Sequence, residues 1–216
     1  MTVVDRSGSD LGRRVELVSM DKHHRDISIA LYLREDDDGP VARVHSFSGA
    51  DGVAERLEYL VDALCVLGGL QRADAERSVR FPCRSWHNTA AKRLFAEACK
   101  HDPATPLESR PLEAPDSRTD QTIVVEPLGD GAYEVKASGV TEDTPSRAPA
   151  IARGIAKLAE LSFDDGERSI VKFACGQNHD ALIGLLLLRA QNLRQVLREE
   201  EMEASKGVLA APSQQE

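Results

Sequence analysis

A Cys-x-x-x-His pattern occurs twice in the chain, each time at a predicted junction between a strand and a helix. The copies are Cys83-Arg84-Ser85-Trp86-His87 and Cys175-Gly176-Gln177-Asn178-His179. Free N–H groups at the start of a helix favour negative charge, so a cysteine placed there has a stabilised thiolate. If the two turns meet, two cysteines and two histidines can form a tetrahedral zinc site. The predicted metal ligands are Cys83, His87, Cys175 and His179.

The same residues allow two other interpretations. Structural zinc ligands commonly come as Cys-x-x-Cys pairs, and neither turn contains one. Each cysteine can instead be a small buried hydrophobic residue, with each histidine packing or capping locally. Alternatively, the thiols react or face a ligand, and Cys175 acts as a redox sensor if its sulphur is exposed.

The second copy has the denser polar cluster and is the better candidate for ligand binding. Gly176 permits close approach of a ligand to the backbone. Gln177, Asn178, His179 and Asp180 then precede an almost entirely apolar helix. Asn178 or Asp180 can serve as an ordinary helix N-cap, but a cap accounts for only one of these residues.

The first copy has Arg84 in place of Gly176 and Trp86 in place of Asn178. Arg84 near a helix N-terminus is suited to an anion. Trp86, the one tryptophan of the chain, covers a ligand or a partner, or fills the gap between sheet and helix. The predicted ligand-binding residues are Cys175, Gly176, Gln177, Asn178, His179, Arg84 and Trp86.

Both patterns belong to a longer internal repeat of residues 76–100 and 167–192. One inserted residue in the later strand brings the two segments into register, with Glu-Arg-Ser at the start of each. A repeat at a fixed offset indicates a duplicated structural unit. The further matched pairs are Phe81 with Phe173, Cys83 with Cys175, His87 with His179, Leu94 with Leu186, and Ala98 with Ala190.

Hydrophobic periodicity predicts the elements that position the two turns. In the first half it predicts strands at 14–20, 27–33, 41–47 and 77–83, and helices at 51–67 and 86–100. In the second half it predicts a hairpin of strands 121–126 and 132–137, a helix at 150–161, a strand at 170–175 and a helix from 178. The polar, proline-containing stretch 140–149 predicts that the third strand of the second half is lost or very short.

These elements predict an α+β fold made of two tandem β-β-(β)-α-β-α repeats with pseudo-two-fold symmetry. The repeats are expected to pack helix layer against helix layer, or to share one sheet across the axis. The predicted organisation is a flexible N-terminus at 1–12, repeats at 13–100 and 121–205, a proline-rich connection at 101–120, and a flexible tail at 206–216.

This order of elements is similar to a duplicated ribosomal-S5-domain-2-like fold. The imidazole glycerol phosphate dehydratases are one enzyme family that duplicates such a unit, and they carry histidine-rich metal motifs in both halves. Here the pair His23-His24 occurs once, without a counterpart in the second half. The resemblance therefore implies a fold and supplies no function.

Composition limits the classes of function. A net charge of −9 argues against a general nucleic-acid binder, which needs clustered basic residues. The start of the chain lacks the apolar core of a signal peptide, and the longest apolar run, 182–188, is too short to span a membrane. Four cysteines in this context indicate reduced thiols. We therefore expect a soluble cytoplasmic protein without nucleic-acid or membrane partners.

The last helix is apolar on two faces and needs cover on both. A homodimer through this helix would supply it, and so would burial between the two repeats. The sequence carries no nucleotide-binding or nucleophile-elbow motif. The leading prediction is a non-enzymatic interaction or small-ligand-binding module. The alternative is a metal-dependent or thiol-dependent enzyme with its site at the two Cys-x-x-x-His turns.

Overall fold

The computed structural model describes residues 2–5, 15–20, 28–46, 51–85, 87–116, 118–164 and 166–193. Within these residues the chain forms two antiparallel sheets and four helices, so the predicted α+β class is confirmed. Three features named above lie outside the described residues: the His23-His24 pair, Trp86 and the segment 206–216.

The first sheet has six strands in the order β1-β2-β3-β4-β6-β5. Two helices follow in the same half of the chain, one after β4 and one after β6. The bounds are β1 Thr2–Asp5, β2 Val15–Met20, β3 Ser28–Asp36, β4 Gly39–Ser46, α1 Val53–Gly68, β5 Gln71–Arg72, β6 Ser78–Arg80 and α2 Asn88–Lys100.

The apolar residues from which β3 and α1 were predicted are largely buried in the structure. Ile29 to Leu33 of β3 are buried on both faces of the strand. The buried face of α1 is formed by Leu57, Leu60, Val61, Leu64 and Leu67. The helix ends at Gly68, and the next residue, Gly69, has a φ of 67° in the left-handed region that glycine tolerates.

The second sheet has five strands in the order β10-β11-β9-β8-β7. In reverse, this order is β7-β8-β9-β11-β10, which corresponds strand by strand to β2-β3-β4-β6-β5 of the first sheet. The helices also correspond, because α3 follows β9 as α1 follows β4, and α4 follows β11 as α2 follows β6. The bounds are β7 Glu113–Pro115, β8 Thr122–Gly129, β9 Ala132–Ser138, α3 Ala148–Ala159, β10 Ser162–Asp164, β11 Ser169–Lys172 and α4 Asp180–Gln191.

Four strands were not predicted from the sequence. Two of them, β5 and β10, have only two and three residues. The other two are β1 and β7. β1 lies in the stretch expected to be flexible and pairs with β2. β7 lies in the proline-rich connection and pairs with β8. The third strand of the second half therefore comes before the β8–β9 hairpin, and the stretch 140–149 contains no strand. β7 is an edge strand of three residues, a position where proline is tolerated. A strand this short forms because it pairs with its neighbour, and three residues are too few to show a hydrophobic periodicity in the sequence.

The helices lie between the two sheets. α1 contacts β4 and β6, α3 contacts β9 and β11, and α4 contacts both α3 and α1. Among the described residues, no strand of one sheet pairs with a strand of the other. Of the two predicted arrangements, the described elements therefore adopt helix layer against helix layer.

α4 is buried within a single chain. Leu182, Ile183 and Leu185 to Leu187 are all 6% exposed or less. The helix contacts α1 and α2 of the first half as well as β7 and β8 of its own. The described part of this helix is therefore covered by burial between the two halves, and it requires no second chain. No helix in the described ranges combines the length and the hydropathy that crossing a membrane requires.

Gly184 provides a direct test of this packing. A Cβ at this position would lie 2.2 Å from the carbonyl oxygen of Arg110 and 3.0 Å from that of Pro111, both of them backbone atoms. We expect Gly184→Ala to lower the free energy of unfolding by about 1–3 kcal/mol through overpacking, although alanine is the better helix former. Denaturant unfolding measures the change. Lys157→Ala, at an exposed position of α3, is the control and should change stability little. An unchanged or more stable Gly184→Ala variant would contradict the close packing of the connection on α4.

Candidate metal centre

The two Cys-x-x-x-His turns converge at the interface between the two halves. The Sγ atoms of Cys83 and Cys175 and one ring nitrogen each of His87 and His179 all lie within 4.8 Å of one another. Within each turn, sulphur and Nε2 are 3.1 Å apart in the first copy and 3.3 Å apart in the second. Zinc bonds of about 2.3 Å to sulphur and about 2.0 Å to nitrogen would place tetrahedral ligand atoms roughly 3.3–3.8 Å apart. The four ligand atoms are therefore close enough together for one ion to bind all of them after small adjustments of the side chains.

The histidines occupy equivalent positions at the starts of two helices. His87 precedes α2 with φ −128° and ψ 59°, and His179 precedes α4 with φ −131° and ψ 64°. Each histidine carbonyl accepts the first helical hydrogen bond, from Ala91 at 2.8 Å and from Ile183 at 2.9 Å. Neither histidine side chain caps its helix, which leaves both rings directed to the shared site.

The cysteines sit in tight turns of the same form. The N–H of Arg84 donates to the carbonyl of Phe81 at 3.0 Å, and the N–H of Gly176 donates to the carbonyl of Phe173 at 3.2 Å. Arg84 has φ 54° and Gly176 has φ 72°, both in the left-handed region. In the first copy, Pro82 has no N–H to pair with a neighbouring strand, which is consistent with β6 ending at Arg80. Both turns thus return the chain sharply from strand to helix.

Each cysteine sulphur receives a backbone hydrogen bond from the residue two positions later. The N–H of Gln177 donates to Cys175 Sγ at 3.4 Å, and Ser85 provides the corresponding bond to Cys83. Such bonds stabilise a thiolate. In the metal-free state, burial raises the pKa of the Cys83 thiol and the neighbouring Cys175 raises it further, against the hydrogen bonds from Ser85. A bound cation would favour the thiolate and reverse this direction.

Two phenylalanine rings pack against the two histidine rings of the site. Phe81 contacts the His87 ring edge-to-face at 4.8 Å, and Phe173 contacts the His179 ring at 4.7 Å between centroids. Each phenylalanine also contacts the histidine of the other half, at 5.6 Å for Phe81 and 5.4 Å for Phe173. The two imidazoles are 4.8 Å apart. These edge-to-face contacts orient both imidazole rings, and His179 is buried among them.

Burial keeps both imidazoles neutral. Burial lowers the pKa of His87. Burial also lowers the pKa of His179, and with the nearby His87 it brings that pKa to about 4, whereas the Asp180 carboxylate raises it. His179 is only 5% exposed. The neutral ring is the form that binds a metal ion.

Tyr133 of β9 supports the second turn from within the core. Its side chain is fully buried, and its hydroxyl donates to Asp180 Oδ1 at 2.8 Å while accepting from the N–H of His179. Burial and the Asp180 carboxylate raise the pKa of this phenol, so it stays protonated. This residue was not predicted as part of the site. The available signal was its place two residues after Gly131, in a strand facing the core, where a buried tyrosine hydroxyl needs a partner.

The remaining predicted residues divide into supporting and exposed groups. Asn178 Oδ1 accepts from the N–H of Gly131 at 3.1 Å and so ties the turn to the β8–β9 hairpin. Asp180 binds Tyr133. The N-cap interpretation of these two residues is wrong, because the helix start has no side-chain cap. Gly176, Gln177 and Arg84 are exposed around the turns.

An open cleft borders one side of the four-residue cluster. Its volume is about 270 Å³, and it lies at the N-terminus of α2, facing the end of α3. His87 and Cys175 line it, whereas Cys83 and His179 do not. The other polar residues of its lining are Ser85, Asn88, Thr89 and Glu160.

Comparisons with protein-family models, with curated proteins and with solved structures found no match.

Tyr133→Phe tests whether the hydroxyl of Tyr133 supports the second turn. Removing the hydroxyl deprives the N–H of His179 of its acceptor, so we expect zinc affinity to fall roughly 10-fold and stability by about 1 kcal/mol. Competition with a chromophoric chelator measures the affinity. Tyr59→Phe is the matched control, because it removes a hydroxyl 2.5 Å from His101 Nδ1, outside the cluster. Equal affinities of wild type and Tyr133→Phe would exclude this supporting role.

The neutral histidines predict a pH dependence of the metal-free protein. An unfolded histidine takes up a proton near pH 6.5, whereas His179 in the fold does so near pH 4. Between these values the unfolded state binds more protons, so stability is full above pH 6.5 and is lost as the pH falls towards 4.

Urea unfolding in excess chelator at pH 7, 6 and 5 measures the loss. His179→Gln should flatten this dependence, and His45→Gln, at an exposed position of β4, should retain it. A wild-type protein with equal stability at the three pH values would contradict burial of neutral imidazoles.

Proposed function

We propose that the protein binds one zinc ion through Cys83, His87, Cys175 and His179. The observation that carries this proposal is the convergence of four ligand atoms within 4.8 Å from turns far apart in the chain. Two thiolates and two imidazoles are ligands that suit Zn²⁺, and they match the composition of closed structural sites. Two thiolates also balance the charge of the cation, so the partly buried centre carries no net charge.

The role that fits this geometry is a clamp between the two halves. Each half contributes one cysteine and one histidine, so the ion would link both helix starts at the interface. Four protein ligands fill a tetrahedral ion and leave no position for a substrate. We therefore propose a non-enzymatic module whose fold depends on zinc and whose surface serves interaction or small-ligand binding.

The cleft supports a second candidate, a metal-dependent enzyme. His87 and Cys175 line it together with the polar side chains of Ser85, Asn88 and Thr89. If one of the two lining ligands left the ion, the cleft would give a substrate access to the free position. Catalytic zinc sites have such an open position.

We also propose that the two halves are tandem repeats with pseudo-two-fold symmetry. The shared strand order, the paired backbone angles of His87 and His179, and the paired turn bonds of the cysteines support this. The element order remains similar to a duplicated ribosomal-S5-domain-2-like fold, with a short additional strand before the last strand of each half. Cytoplasmic location and a homodimer remain predictions.

Metal content of the purified, tag-free protein tests the zinc proposal. We expect one zinc per chain by plasma mass spectrometry, and loss of that zinc in Cys175→Ser and His179→Ala. Chelation should lower the thermal unfolding temperature of wild type, because binding free energy adds to folding. Cys65→Ser is the matched control for cysteine removal and should keep its zinc. Full zinc in both ligand variants, or no zinc in wild type after reconstitution, would refute the proposal.

Cobalt substitution distinguishes a structural site with four protein ligands from the site of a metal-dependent enzyme. Co²⁺ in the same site gives visible absorption bands that respond to any change of ligand. We expect these bands to stay unchanged when azide is added, because all four positions belong to the protein. Bands that shift saturably with azide would instead favour the metal-dependent enzyme.

A further inference from the structure

We propose that Cys175 is an oxidation site and that Cys83 resolves the oxidised sulphur into a disulfide, which expels the zinc. This inference rests on the proposed zinc site and adds a mode of regulation to it. The observations that carry it are the closeness of the two thiols, their partial exposure and the cleft beside one of them.

The two sulphurs are placed for a bond across the interface. They lie no more than 4.8 Å apart, and a disulfide needs about 2.05 Å between them. Each cysteine lies in a turn between a strand and a helix, outside the regular hydrogen bonding of either element. Cys65 and Cys99 are not members of the cluster, and Cys99 is buried. The chain therefore offers one well-placed pair among its four cysteines.

The two thiols differ in access, which assigns their roles. Cys175 lines the cleft, whereas Cys83 is not part of its lining. The neighbouring Gly176 is exposed, and a Cβ on it would meet no atom within 4 Å. A small peroxide can thus reach the Cys175 sulphur first, and Cys83 is the resolving thiol.

The oxidant is a hydroperoxide, and the step balances with hydrogen peroxide. The Cys175 thiolate attacks one peroxide oxygen; an S–O bond forms, the O–O bond breaks and hydroxide leaves, which yields a sulfenic acid. The Cys83 thiolate then attacks that sulphur; the S–S bond forms, the S–O bond breaks and a second hydroxide leaves. The two thiolates lose two electrons and the peroxide gains them. The zinc loses both anionic ligands and is left with two imidazoles, so it dissociates.

The test uses full-length protein with one measured zinc per chain. Hydrogen peroxide is added in excess, released zinc is followed with a chromophoric chelator, and cysteine states are read by peptide mass spectrometry. We expect zinc release and a Cys83–Cys175 cross-linked peptide to appear with the same time course. A thiol reductant followed by zinc should restore the starting state. Cys65→Ser is the control and should respond like wild type.

Two matched variants, each lacking one zinc ligand and therefore compared in the zinc-free state, test the assigned roles. In Cys83→Ser the sulfenic acid at Cys175 cannot be resolved by Cys83 and should be trapped by dimedone. In Cys175→Ser the less accessible Cys83 should be labelled several-fold less under the same conditions. Equal labelling of the two variants would overturn the assignment of Cys175 as the oxidised site.

The outcomes separate this inference from the zinc proposal. Zinc that stays bound, with reduced thiols under excess peroxide, would overturn the switch and leave the zinc site standing. Cross-links through Cys65 or Cys99 that accompany zinc release would also overturn it. Protein that binds no zinc after reconstitution would overturn both proposals.

Discussion

The side chains of Cys83, His87, Cys175 and His179 meet at one point between the two halves of the chain. Without a cation, this arrangement holds two imidazoles in an apolar shell, where their pKa values are lowered, beside a thiol whose pKa is raised. Burying such groups costs free energy unless they are paired. Without metal, each thiol is paired with the histidine of its own turn. Under the zinc proposal, a divalent cation would bind both thiolates and both imidazoles with no net charge, and it would add stability where the two halves meet.

The two turns are similar in backbone and different in support. His87 and His179 have nearly the same φ and ψ, and the two cysteines begin the same kind of turn. Among the described residues, the second turn alone rests on a buried tyrosine hydroxyl and on an asparagine bound to the β8–β9 hairpin. The cleft also lies against Cys175 and not against Cys83. The second turn is thus both the more supported of the two and the one whose sulphur borders the cleft.

Local patterns in the sequence predicted most elements and the residues of the site. The alternation of Ile29, Leu31 and Leu33 and the stripe of α1 reflect burial that each element imposes on its own residues. The repeated Cys-x-x-x-His was visible because a strand end and a helix start are local signals. Three features depend on distant contacts and were out of reach: the strand β7, which only its pairing with β8 defines; Tyr133, which acts on residues 46 and 47 positions later; and the choice between helix packing and a shared sheet. The N-cap interpretation failed because Asn178 binds Gly131 in the β8–β9 turn and Asp180 binds Tyr133 of β9 instead.

The coordination of the bound ion tests the central claim most directly. X-ray absorption at the zinc edge of the reconstituted protein reports the number and kind of ligand atoms. Binding by both turns predicts two sulphurs at about 2.3 Å and two imidazole nitrogens at about 2.0 Å in a four-coordinate shell. A shell dominated by oxygen, or one with a single sulphur, would contradict a centre shared by the two halves.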